Sequence, residues 1–96
     1  MKCEKIQVCA WRAKYLISLA HPLSGEEWHA LRATLGASRL EFFVLSNGAI
    51  LYKLTLSDGR GTLTGSSNSP DLYAVVPRVE ADNIIKELMG ELLSVV

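Results

Sequence analysis

Two cysteines among 96 residues are too few for a disulfide framework, which excludes the small secreted scaffolds held by bridges. No window offers the ~20 apolar residues of a membrane-spanning helix. The longest apolar candidate, Tyr15 to Ala20, follows Arg12 and Lys14 and is too short for the core of a signal peptide. Net charge is absent as well, ten Lys and Arg standing against ten Asp and Glu. Bulk electrostatics therefore give no support to a phosphate-backbone partner. There is no internal repeat and no low-complexity tract. The one Ser/Gly/Asn/Pro-rich stretch, Gly65–Pro70, has apolar runs on both sides and reads as a loop within a domain. Free thiols without a membrane span predict a cytoplasmic protein.

What is present is apolar. Hydrophobic residues make up 49% of the chain and charged residues 21%, a globular composition, and the length is that of one domain over residues 1–96. Small domains bury only ~60–65% of their unfolded surface. An apolar share this large exceeds what one small core hides and points to an oligomer or a partner. The charges are also unevenly spread. Lys2, Lys5, Arg12 and Lys14 outweigh Glu4 near the start, and Glu80, Asp82, Glu87 and Glu91 outweigh Lys86 near the end. Two separate solvent patches explain this, and self-association of a basic edge with an acidic helix is the sharper reading.

Residues 5–20 read in two ways. Ile6, Cys9, Ala13, Leu16 and Ala20 form a helical stripe, whereas Cys9, Trp11, Ala13, Tyr15, Ile17 and Leu19 share one face at period two. The Tyr-Leu-Ile-Ser-Leu run and the stop at His21-Pro22 favour a strand. Ser24-Gly25-Glu26-Glu27 is a capping box, with Leu23 and Trp28 at hydrophobic-staple spacing. Trp28, Leu31 and Leu35 form the buried stripe of that helix, and Gly36 ends it.

Asn47-Gly48 suits a two-residue type I′ hairpin turn. That turn pairs Leu45 with Ile50, Val44 with Leu51, Phe43 with Tyr52 and Phe42 with Lys53. Phe43, Leu45, Ile50, Tyr52 and Leu54 then line one face, and Leu40, Phe42, Val44, Leu51, Lys53 and Thr55 the other. Asp58-Gly59 predicts a second hairpin with Leu63 opposite Leu54. Leu72–Val76 is a last strand stopped by Pro77, and a helix with a wide apolar stripe runs from about Glu80 to the end.

The predicted order is β-α-β-β-β-β-α, an α+β fold with an antiparallel sheet of four to five strands and helices on one face. This order resembles that of the helix-grip and TATA-binding-protein-like half-domains. More distantly it is similar to the small dimerising subunit of the KEOPS tRNA-modification complex. The likeness lies in element order over most of the chain, no diagnostic motif accompanies it, and it implies no residue roles.

Chemistry finds little purchase. Cys3, Cys9, His21 and His29 are potential metal ligands without the close pairing of zinc sites. Glu26 and His29 share a helix face, but acids in a first helical turn are accounted for by the helix dipole. Glu41 is more notable, because the expected register puts it on the apolar face opposite Leu54. No Gly-x-Ser-x-Gly elbow exists, and Asp58-Gly59-Arg60-Gly61 lacks the lysine and helix of a phosphate loop. The reading is a non-enzymatic chain with no catalytic residue, cofactor or metal.

Surface is what remains. Helices in so short a chain cover one sheet face, and an uncovered apolar patch marks an interface. The expected interface is Leu40, Phe42, Val44, Leu51 and Lys53 on the open face, with Leu92 and Val96 on the C-terminal helix. The sequence thus predicts a small interaction or assembly module, a homodimer or a subunit partnered by itself or another protein. The alternative is a nucleic-acid-binding module that uses the same face, with Arg12, Lys14 and Lys53 on phosphates.

Overall fold

A computed structural model of the chain describes residues 1–37 and 39–95. It contains β1 (Lys2–Val8), β2 (Arg12–Ser18), α1 (Gly25–Leu35), β3 (Arg39–Val44), β4 (Ile50–Thr55), β5 (Thr62–Ser66), β6 (Asp71–Pro77) and α2 (Ala81–Val95). The strands form one six-stranded antiparallel sheet in the order β1-β2-β6-β5-β4-β3. The α+β architecture is the expected one, with one to two strands more than expected. The added strand comes from residues 5–20, whose single expected strand is part of a hairpin. Cys9 N–H donates to Arg12 C=O at 2.9 Å, so the chain turns at Cys9–Trp11 without glycine, proline or asparagine. Ala13, Tyr15 and Ile17 do alternate into the core, but Cys9 and Trp11 are exposed in the turn.

The chain crosses from β2 through α1 to the far edge of the sheet at β3. It then returns as the meander β3-β4-β5-β6 to close against β2. Both helices lie on one face. α1 packs on β3, β4 and α2, and α2 packs on β6. The core between the layers gathers Ile17, Leu54, Leu63, Leu72, Ala74 and Val76 from the sheet with Trp28, Leu31, Ile84, Leu88 and Leu92 from the helices. The capping box of α1 is formed in full. Ser24 N–H donates to Glu27 Oε1 at 2.9 Å, and Glu27 N–H donates to Ser24 Oγ at 3.2 Å. Gly36, at φ +60°, ends the helix in the left-handed region.

The two Xaa-Gly turns behave differently. Asp58 and Gly59 both take positive φ, +59° and +68°, and the register carries Leu54 opposite Leu63 as a two-residue turn requires. At Asn47-Gly48 only Gly48 has positive φ, +85°. Leu45 N–H donates to Ala49 C=O at 2.8 Å and Gly48 N–H to Leu45 C=O at 3.0 Å. Ser46, Asn47 and Gly48 therefore form a three-residue loop, and Asn47 Oδ1 accepts from Ala49 N–H at 3.0 Å. The extra residue slips the β3–β4 register by one, and a slip of one reverses every side chain of β3.

Candidate interaction surface

Val44 pairs with Ile50, Phe43 with Leu51, Phe42 with Tyr52, Glu41 with Lys53 and Leu40 with Leu54. Tyr52 and Leu54 are core residues, so Leu40, Phe42 and Val44 stand on the helix side of the sheet. Leu51 and Lys53 stand on the open side. The expected patch is thereby divided between two faces. The cause is physical: the two-residue register would place Arg39 and Glu41 on the helix side beside Leu54, where their charges would face apolar core. The observed register puts both in solvent on the open face, where Arg39 Nε lies 3.3 Å from Glu41 Oε1 and Glu41 stands across from Lys53.

Only Leu40 of the three helix-side residues packs against the core. The helical layer does not reach Phe42, 64% exposed, or Val44, 71% exposed, while on the other face Phe43 is 48% exposed. The outer edge of the molecule at β3 is thus an apolar strand uncovered on both faces. Its main chain is also free on one side. Because the residues in phase with Leu45 turn their amides and carbonyls towards β4, Leu40, Phe42 and Val44 turn theirs away from the sheet. Among the described residues nothing pairs with that edge.

Strand β1, at the opposite edge, is built differently. It too is exposed along its whole length, but its pairing with β2 breaks at a bulge between Lys5 and Gln7, and it carries Lys2, Glu4 and Lys5. Bulges and lysines are the devices by which sheet edges resist pairing. β3 has no bulge and no lysine: its pairing runs unbroken from Arg39 to Val44, and its two charges, Arg39 and Glu41, lie in its first half and pair with each other.

The face without helices is open across all six strands. One row of facing residues runs Glu4, Leu16, Tyr73, Thr64, Lys53 and Glu41, and the next runs Gln7, Lys14, Val75, Thr62, Thr55 and Arg39. Lys14 Nζ sits 5.0 Å from the centre of the exposed Tyr73 ring, a cation–π contact. This face carries Lys2, Arg12, Lys14, Arg39 and Lys53 together with Glu4, Glu41 and Asp71, so both signs are mixed across it. At one end of the sheet a cleft of about 410 Å³ lies beneath the exposed Trp11, with Arg12, Asp58, Gly61 and Pro77 around it.

The two C-terminal positions of the expected interface fare differently. Leu92 is 0% exposed in the core, because the face of α2 that carries Ile84, Ile85 and Leu88 also carries Leu92 down onto the sheet. It offers no surface to a partner. Val96 lies outside the described residues. Leu93, beside Leu92, is the large apolar side chain that α2 does present to solvent; a stripe of periodic residues separates the two only once the buried arc is known.

The polar candidates are dispersed. His21 and His29 are both exposed, and His21 Nδ1 lies 2.9 Å from Pro22 C=O. Cys3 and Cys9 are free and exposed, and partial burial pushes the Cys3 thiol above its ordinary pKa. Among the described residues no three His, Cys, Asp or Glu side chains gather where a metal ion could be held, and no helix is long and apolar enough to cross a membrane. No protein-family model, curated protein or solved structure matches the chain.

Proposed function

We propose that this chain is a non-enzymatic assembly module, working in the cytoplasm as one subunit of a protein complex through its β3 edge. The observation that carries this reading is the apolar edge itself: Phe42, Phe43 and Val44 stand exposed on both faces of a strand whose outer main chain is unpaired. Such an edge is a template for another strand, and contiguous exposed apolar surface is characteristic of interfaces. The bulge and lysines of β1, set against the unbroken pairing of β3 and the run Phe42-Phe43-Val44, support the same choice of edge. The open face, with Leu51 and Lys53 beside Phe43, extends the contact around the edge.

A second reading rests on Tyr73. An exposed aromatic ring on a central strand, with Lys14 over it and Lys53 in the same row, is an arrangement on which a nucleic-acid base stacks while lysines meet phosphates. Glu4, Glu41 and Asp71 on that same face weigh against a polyanion.

Sedimentation of the purified chain over a range of concentrations, beside a salt titration against labelled single- and double-stranded oligonucleotides, tests the two. The assembly reading expects association that grows with concentration and no oligonucleotide binding. A monomer that binds oligonucleotide with a steep salt slope contradicts it.

A further inference from the structure

We infer that the partner at the β3 edge is a second copy of this chain, joined antiparallel about Phe42 so that one sheet runs through both copies. The inference rests on the assembly reading and adds to it the partner and the register. The register follows from which main-chain groups are free. A two-fold axis perpendicular to the sheet keeps helix-side residues with helix-side residues. The outward-turned residues Leu40, Phe42 and Val44 must supply the ladder. Centring the axis on Phe42 sets Leu40 against Val44 of the second copy, Phe42 against its own equivalent, and Val44 against Leu40. All three free residues of both copies then bond. Shifting the axis to Glu41 would face two carboxylates directly, which is destabilising. Shifting it to Phe43 would leave Leu40 facing the Ser46 turn and lose part of the ladder.

On the helix side the Phe42 rings would meet at the axis, flanked by Leu40 and Val44. On the open side Phe43 would lie across from Glu41, whose carboxylate stays in solvent beside Arg39. A fully covered aromatic side chain buries ~150–250 Å², so the exposed parts of Leu40, Phe42, Phe43, Val44 and Leu45 amount to about 400 Å² per copy. Edge pairing covers the flanks of these side chains that face the second strand, so the buried side-chain area stays below roughly half of the ~800 Å² per partner of a standard interface. The main-chain edge adds to it, and the pair belongs to the small, concentration-dependent class.

A foreign strand fits this edge less well than a second copy does. Pairing β3 with itself consumes the unguarded edge of both molecules. The extended sheet then ends at both sides in β1, with its bulge, Lys2 and Lys5. Assembly stops at two, as an isologous contact requires; the apolar β3 edge of both copies is covered, and the edge left outermost is β1, where the bulge and Lys2 and Lys5 stand beside the exposed Ile6 and Val8.

Position-specific cross-linking tests this. Cys3 and Cys9, both exposed, are replaced by serine, and Phe42→Cys or Phe43→Cys is introduced singly into that background. Directly opposed residues of a hydrogen-bonded antiparallel pair have Cα atoms ~5.5 Å apart, within disulfide reach; diagonal ones are ~7–8 Å apart and beyond it. Mild oxidation is expected to link Phe42→Cys into a covalent dimer and to leave Phe43→Cys unlinked. Sedimentation of Phe42→Glu and Val44→Lys, with circular dichroism to verify the fold, is expected to give monomers. A dimer that survives both substitutions and links at neither cysteine overturns this pairing while leaving the assembly reading in place. A dimer that links through Phe43→Cys overturns the register. A chain that remains monomeric at millimolar concentration overturns the pairing with a second copy and leaves the assembly reading to a strand of another protein.

Discussion

Trp28 and Tyr52 stack with ring centroids 5.4 Å apart and 17° between their planes. The stack ties α1 to β4 and stands directly over Gly65, the cross-strand neighbour of Tyr52. An added Cβ at Gly65 would lie 2.4 Å from Leu72 Cδ2 and 3.0 Å from Trp28 Cζ2, so the absence of a side chain is what lets the indole settle on the sheet. Tyr52 in turn covers the bare backbone of the glycine across the ladder.

Gly65→Ala is therefore expected to destabilise the fold by about 1–3 kcal/mol through overpacking. Urea unfolding in a Trp11→Phe background, where the buried Trp28 alone reports by fluorescence, measures this. An unchanged midpoint would contradict the account of the core.

The two helices respond in opposite directions. Ser24→Ala removes a formed capping box and is expected to cost about 1 kcal/mol. Gly90 lies in an exposed part of α2 with open space around its missing Cβ, so Gly90→Ala is expected to stabilise by up to ~1 kcal/mol. Thermal unfolding of each variant checks the sign.

Cys3 stands opposite Ile17 on β1, and its partial desolvation raises the thiol pKa. The thiolate fraction near pH 8 is then lower in the folded chain than in the unfolded chain. Alkylation of Cys3, followed by peptide mass, is expected to be slower in native buffer than in urea. Equal rates after correction for the solvent would remove the burial.

At the edge, Phe42→Glu is expected to weaken self-association about thirtyfold or more, the loss typical of a central anchor. Lys53→Glu, on the open face away from the axis, is expected to change mainly the association rate and its salt dependence. Concentration-dependent sedimentation with stopped-flow dilution separates the two. A larger equilibrium effect at Lys53 than at Phe42 would move the interface to the open face.

Much of this fold was legible in residue patterns. The α1 cap, its Gly36 end and the Asp58-Gly59 register follow from local chemistry that the tertiary structure leaves intact. The β1–β2 turn was not legible, because Cys9, Ala10 and Trp11 carry no turn signature, and long-range pairing with β6 decides where β2 begins. The expected faces of β3 are reversed by one residue of register. Asn-Gly suits both a two-residue and a three-residue loop, and the pattern of exposure decides between them. A signal was present: the two-residue register forced Glu41 against Leu54, and a carboxylate on a core face is evidence against the register that puts it there. At Leu92 the stripe of α2 is wide enough that periodicity alone cannot divide its buried arc from Leu93.

The central claim, that the unguarded β3 edge is where this chain assembles, is tested most directly by amide hydrogen exchange at Leu40, Phe42 and Val44. These amides point away from β4. Measured by nuclear magnetic resonance at low and high protein concentration, they are expected to exchange quickly when dilute and to become protected together as concentration rises, while the β1 amides facing away from β2 stay fast. Association without protection at these three residues, or with protection at β1 instead, would contradict the account.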